Sequence, residues 1–271
     1  MVYRSLYRRW RPQTFREVVG QEHITTTLRN AVRLKRIAHA YLFAGPRGTG
    51  KTSTARILAK AVNCRQVMEG EPCNQCTDCY RISEGISLDV VEIDAASNRG
   101  IDEIRDLREK VHFLPADGPY RVYIVDEVHM LTQEAFNALL KTLEEPPPHI
   151  IFILATTEPY HLPPTVVSRC VRFDFRHLPF STIKGALGQI ASSEGLVLEE
   201  QAAHRLAVLS GGSMRDALGL LEQCYNFDPH AITVSSVEKV TGAVNVLALR
   251  ELAYNLCKRN AIGVLEIVDK A

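Results

Sequence analysis

The sequence predicts an α/β protein built on a five-stranded parallel sheet, carrying a cysteine-rich insert and followed by a small three-helix domain. Three observations lead there. Five short apolar runs alternate with helical patterns, a glycine-rich loop sits between the first run and the helix after it, and the strand signal fades beyond Phe175.

The runs at 41–44, 89–93, 120–125, 150–155 and 170–175 are rich in β-branched and aromatic residues. Residues 51–62 and 133–145 place apolar or small side chains at helical spacing, the second stopping at Pro146, Pro147 and Pro148. Strand and helix in alternation imply a parallel sheet covered on both faces. After a linker around Pro179, the segments 181–193, 199–210 and 213–225 read as three amphipathic helices separated by Gly195, Gly211 and Gly212. Ser213 with Asp216 three residues on resembles a helix-capping pair. The expected boundaries are an α/β domain over 1–178 with an insert at 62–82, a helical domain over 179–243, and the start of a further helical domain over 244–271. Because 271 ends an amphipathic segment without Gly or Pro, the sequence reads as cut from a longer chain.

At 271 residues, 46% apolar and 23% charged, the composition excludes a disordered chain. No run of about 18 apolar residues and no secretory signal occurs, so the reading is cytoplasmic with no membrane partner. The net charge of +1 hides a polarity: residues 1–60 hold thirteen Lys and Arg against Glu17 and Glu22, leaving that stretch at +11 and the remainder at −10. An excess of that size suits phosphate.

Gly45, Pro46, Arg47, Gly48, Thr49, Gly50, Lys51 and Thr52 form G-x-x-x-x-G-K-T directly between a strand pattern and a helix pattern. Glycines there let backbone N–H groups wrap phosphates, Lys51 neutralises the β and γ groups, the Thr52 hydroxyl suits magnesium, and Ser53 continues the helix start. The run ending in Asp126 and Glu127 delivers two adjacent carboxylates, Asp126 suited to the hydrated magnesium and Glu127 to polarising an attacking water. ATP and magnesium are the expected ligands.

Cys64, Cys73, Cys76 and Cys79 fall within sixteen residues. Four thiolates satisfy a closed tetrahedral zinc site, and the spacing does not match a bacterial ferredoxin iron-sulfur motif. Because this insert follows the phosphate-loop helix, nucleotide binding is expected to be independent of its metal.

GPRGTGKT, VDEVHML, LATTEP, SRC and GSMRDAL, with RWRPQTFREVVGQEHI at the start, resemble the AAA+ ATPases of replicative clamp loaders. The cysteine insert and FNALLKTLEEPP are similar, more closely, to the gamma/tau family of the bacterial DNA polymerase III holoenzyme. The resemblance implies an AAA+ P-loop ATPase core with a helical lid. Within it, an extra strand between the two nucleotide-contacting strands places Thr157 near the γ-phosphate. Arg169 acts as an arginine finger on a neighbouring subunit's ATP, and Arg215 reaches the γ-phosphate of its own ATP or, on its residues alone, a structural ion pair. The stretch from Arg11 to Val19 supplies an adenine pocket with Val18 and Val19 as walls, although composition alone reads those valines as core. Ser97, Asn98, Arg99 and Arg105 face primer-template DNA. Its implied partners are other clamp-loader subunits in a pentamer when full length, the sliding clamp and DNA, with this shorter chain monomeric.

The function so implied is an ATP-hydrolysing subunit that opens and loads a sliding clamp. The alternatives are a ring-forming DNA motor such as a branch-migration helicase, which has no use for four clustered cysteines, and a non-catalytic structural subunit, against which Lys51, Thr52, Asp126 and Glu127 argue.

Overall fold

The computed structural model describes residues 3–98, 100–242 and 246–270. The chain divides into two units, one of Trp10–Pro179 with Gly212–Met214, the other of Met1–Arg9, Phe180–Gly211 and Arg215–Ala271.

In the first unit, β1 (Ala40–Ala44), β2 (Val90–Asp94), β3 (Arg121–Asp126), β4 (Ile150–Thr156) and β5 (Val171–Asp174) form one sheet in the order β2-β3-β4-β1-β5. Every pairing is parallel, and the register aligns Ala44 with Thr156 and Asp174, and Asp94 with Asp126. The five carboxyl ends therefore share one edge, the position at which open parallel sheets bind ligands. Because β4 lies between β1 and β3, all seven of its residues are buried, whereas edge strand β5 exposes three of four. Arg172 and Asp174 pair on that edge, where charge discourages further strand addition.

Alternation sorts the strand residues into two cores. Leu42, Tyr123, Val125, Phe152 and Leu154 face α5 (Ile101–Lys110) and α6 (Gln133–Glu144), with Leu107, Phe136 and Leu139 packed against them. Tyr41, Phe43, Val122, Ile124, Ile151 and Ile153 face α2 (Glu22–Arg33) and α3 (Lys51–Asn63), against Ile24, Leu28, Ile57 and Leu58. Each such side chain contributes roughly 1.5–3 kcal/mol by leaving water. Thr132 caps α6, accepting from the Ala135 N–H, and the prolines after Glu145 end it. The cysteine insert runs from the end of α3 into α4 (Thr77–Glu84), and α7 (Pro164–Val167) precedes β5.

The second unit contains α8 (Phe180–Glu194), α9 (Glu200–Leu209), α10 (Met214–Phe227) and α11 (Val234–Thr241), with α12 (Val246–Cys257) and α13 (Ala261–Lys270) after them. Ile183, Leu187, Leu206, Leu218 and Leu221 are among its buried apolar residues. Thr233 and Ser236 form a reciprocal capping box on α11.

Two placements differ from the sequence reading. Gly212–Met214 group with the sheet unit, and residues 3–9, with α1 (Leu6–Arg9), pack in the helical unit instead of the sheet unit. The Tyr3 hydroxyl donates to Glu222, the Leu6 N–H donates to Glu222 Oε2 at 3.3 Å, and Arg9 meets Glu194 Oε2 at 2.6 Å. Acidic partners more than 180 residues away draw the basic N-terminal turn there, a pairing with no local sequence signal. Among the described residues no helix is long and apolar enough to cross a membrane.

Candidate functional site

The glycine-rich loop leaves β1 at Gly45 and enters α3 at Lys51. Gly45, Gly48 and Gly50 hold φ of 143°, 73° and 103°. At Gly45 a Cβ would lie 2.3 Å from the Phe175 carbonyl oxygen, so both conformation and space demand glycine. The loop closes on itself: the Thr49 hydroxyl donates to the Pro46 carbonyl at 2.8 Å, and the Met214 N–H donates to Gly48 O at 3.1 Å.

The Lys51 ammonium, only 6% exposed, donates to the carbonyls of Gly45 at 2.7 Å and Pro46 at 2.9 Å. Burial pushes its pKa down, while Glu127 and Asp126 work the other way. A buried cation resting on loop carbonyls fits an anionic ligand that gives it a full counter-charge. The Thr52 hydroxyl donates to Asp126 Oδ2 at 2.7 Å, bringing together two hard oxygen donors of the type magnesium takes.

Glu127 follows β3 with φ 47°, a left-handed conformation rare for a side-chain-bearing residue. Its N–H donates to Asp126 Oδ1 at 3.0 Å. Its Oε2 accepts from the Thr157 hydroxyl at 2.9 Å and the Thr157 N–H at 3.3 Å. Thr157 directly follows β4, so the sheet order itself sets this hydroxyl beside the acid pair. One neighbour, His129, escaped the sequence reading. His129 Nδ1 lies 3.1 Å from Thr156 Oγ1 and 3.5 Å from Glu127 Oε2, and Thr156 Oγ1 accepts the Glu158 N–H at 3.0 Å. The VDEVHML stretch contained the histidine, but nothing in its spacing told which carboxylate it would meet.

Arg169 lies between α7 and β5, donating to the Thr165 carbonyl and to Glu144 Oε1, both at 2.7 Å. Arg215 belongs to the helical unit, where its guanidinium sits 5.0 Å from the Tyr7 ring centroid. Of the two valines, Val18 is buried and packs at the phosphate loop, its Cγ1 3.6 Å from a Cβ built on Gly50, whereas Val19 is exposed. The Arg11 carbonyl accepts from Gln13 Nε2 at 2.9 Å. After β2, Ser97 and Asn98 fold back on Asp94, whose carbonyl accepts both backbone N–H groups. Arg99 and the side chain of Arg105 lie outside the described residues.

The insert gathers its thiols locally. The Sγ atoms of Cys64, Cys73, Cys76 and Cys79 all lie within 4.8 Å of one another. Tetrahedral zinc at about 2.3 Å from each sulfur requires separations of about 3.8 Å, so the set is compatible with zinc. Cys64 Sγ accepts the Gln66 and Cys73 N–H groups, and Cys73 Sγ accepts those of Gln75 and Cys76, at 3.3–3.4 Å. At Cys73 burial acts upward, but those donors and the neighbouring thiols bring the pKa to about 7, the thiolate a metal needs. Cys76 holds the N-cap position of α4, which places its sulfur at the start of that helix.

A phosphate loop after β1, an acid pair after β3 and a polar strand end inserted between them define the AAA+ P-loop ATPase-type fold, here with a lid. Similarity to the Thermotoga maritima RuvB Holliday junction branch migration motor shows the same fold, with a TM-score of 0.63 at 19% identity over 91% of this chain and 79% of that one. Residues 20–179, more than half of the chain, match the family model "DNA polymerase III, delta subunit", and residues 182–227 match "DNA polymerase III clamp loader subunit, ATPase lid domain". The tau subunit of DNA polymerase III from Bacillus subtilis (strain 168) is 53% identical over 100% of this chain and 48% of its own length. That of Escherichia coli (strain K12) is 44% identical over 100% and 42%. The gamma subunit of Buchnera aphidicola is 43% identical over 89% of this chain and 67% of its own length. The chain belongs to the clamp-loader gamma/tau family of DNA polymerase III, and it spans about half the length of the tau relatives.

Proposed function

We propose that this chain binds and hydrolyses ATP as a motor subunit of a replicative clamp loader, using ATP binding to open and load a sliding clamp onto primed DNA and hydrolysis to release it. The observation that carries the reading is the convergence of Lys51, Thr52, Asp126, Glu127 and Thr157 at one edge of the sheet. Lys51 exchanges its loop carbonyls for β- and γ-phosphate oxygens. Thr52 and Asp126 would hold magnesium, which would supply neutralisation of charge on the phosphates. Glu127 orients and polarises the attacking water, and Thr157, which accepts no proton in the step, holds the Glu127 carboxylate and then the γ-phosphate. Val18 and Val19, with the chain from Arg11, wall the adenine.

Arg169 completes a neighbouring subunit's site after releasing Glu144, because a guanidinium matches the spread charge of a transferring phosphoryl group. Arg215 contributes to its own γ-phosphate. The assembly is a pentamer with other clamp-loader subunits, sliding clamp and primer-template DNA as partners, and Ser97, Asn98, Arg99 and Arg105 track the DNA backbone without reading bases. This stretch alone is monomeric and nearly inactive. The branch-migration alternative is supported by likeness of fold alone.

Glu127→Gln in the assembled complex tests the reading. Size and hydrogen bonding persist while the base is lost, so ATP affinity should stay within about threefold and turnover should fall at least ~100-fold. Unchanged turnover would remove Glu127 from the mechanism.

A further inference from the structure

The cysteine insert is joined to the nucleotide side of the sheet by buried polar contacts that the phosphate-loop chemistry does not use. Between Cys64 and Cys73 the chain makes a tight hairpin, with Met68 bridged to Glu71 and Glu69 and Gly70 at φ 52° and 82°. The hairpin lies against α2: a Cβ on Gly70 would lie 2.2 Å from the Arg29 carbonyl oxygen. Its last residue, Glu71, is 9% exposed and accepts the Phe15 N–H at 2.8 Å through Oε2. Glu71 Oε1 has no hydrogen-bond partner and faces the guanidinia of Arg29 at 3.8 Å and Arg16 at 3.9 Å.

A second joint lies one residue beyond Cys73. Lys60, 2% exposed on α3, donates to Asn74 Oδ1 and Gln13 Oε1, both at 2.7 Å, and Asn74 Nδ2 donates to the Gln13 carbonyl at 3.3 Å. Gln13 stands two residues before the short turn Phe15–Glu17, which Phe15 begins, and the residue after that turn, Val18, packs on the phosphate loop at Gly50. Thus the insert, through Glu71 and Asn74, holds Phe15 and Gln13 in the segment that leads into Val18.

We propose that the insert sets nucleotide affinity: with its four thiolates on a metal ion, Glu71 and Asn74 clamp residues 13–18 against the phosphate loop, and Glu71, Asn74, Gln13 and Lys60 are positioning residues for the nucleotide. This rests on the nucleotide-site reading above and reverses the expectation that the insert and the nucleotide are independent. The physical reason is that a thiol cluster without metal does not restrain the hairpin, so Glu71 loses its fixed place under Phe15. An unheld segment must then be ordered by the nucleotide, at the expense of affinity.

The test titrates the zinc-loaded full chain with a fluorescent ATP analogue and magnesium, and measures zinc on the same samples by elemental analysis. Glu71→Ala should weaken binding roughly tenfold with about one zinc per chain retained, and Glu71→Gln, which keeps an acceptor oxygen for Phe15, should recover most of it. Gln13→Ala should show a smaller loss, about threefold. Binding by Glu71→Ala within twofold of wild type at full zinc content overturns the proposal. Should that variant fail to fold, wild-type protein stripped by a chelator and reloaded with zinc decides: affinity lost and regained supports the coupling, and affinity unchanged by stripping overturns it. A wild-type chain that binds no analogue at all fails the nucleotide-site reading itself, an outcome distinct from any of these.

Discussion

The phosphate loop and the cysteine insert lie on either end of α3, and they are assembled by opposite means. The first draws Lys51 from the loop after β1 and Asp126 and Thr157 from the ends of β3 and β4, so it exists only when the sheet has formed. The second draws four sulfurs from sixteen consecutive residues. The first is also self-satisfied, since Lys51 rests on carbonyls and Thr52 on Asp126, so its charges have partners before any ligand arrives. The second concentrates four ionisable thiols, and a cation is what allows all four to stand together as thiolates. A site made of long-range contacts is thereby preorganised by the fold, while a site made of local ones depends on its ligand.

Arg169→Ala should produce the largest effect and test how far the long-range construction extends. A finger acting on the adjacent subunit contributes roughly 10³–10⁵ in rate, so ATP hydrolysis in the assembly should fall by that order with ATP affinity nearly unchanged. In mixed assemblies Lys51→Ala and Arg169→Ala subunits should recover turnover above either alone, and failure to do so when mixing is shown would confine Arg169 to its own chain.

Cys76→Ser should take zinc from about one per chain to a small fraction of that, and hydrogen exchange should accelerate in the insert hairpin while the amides of β1, β3 and β4 remain protected. Uniform acceleration across the sheet would erase the contrast between the two sites.

Glycine substitutions probe the same contrast at the level of packing. Gly70→Ala drives a Cβ into the Arg29 carbonyl and should cost about 2–4 kcal/mol in denaturant unfolding. Gly85→Ala, at φ 72° with nothing within 4 Å, should cost only the ~1 kcal/mol of the left-handed conformation.

The smallest effect concerns the metal-free insert. With its pKa lowered to about 7, Cys73 is mostly thiolate above that pH and thiol below it, so alkylation by iodoacetamide should rise as pH passes through 7. Cys170, which burial pushes up to about 12, should stay unreactive over the same range. The lowered value also means that Cys73 ionisation favours the folded insert at pH above 7, a contribution lost as pH falls through it. Equal rates at the two cysteines would remove the N–H donors of Gln75 and Cys76 as the cause.

Strand and helix positions were legible along the chain because alternation and 3.6-residue spacing are local: β3 was expected at 120–125 and spans Arg121–Asp126, and α3 was expected at 51–62 and spans Lys51–Asn63. Lys51, Thr52, Asp126 and the four cysteines were legible for a related reason, since each stands in a short motif whose chemistry needs that spacing. The placement of residues 3–9 with the helical unit was not, nor was His129 beside Thr156, nor Glu71 beneath Phe15, fifty-six residues away. Those contacts join groups that share no element and leave no period in the chain. Which acid meets which amide depends on how helices and hairpins pack on a finished sheet, and the energy that selects the pairing exists only when burial has made an unpaired polar group costly.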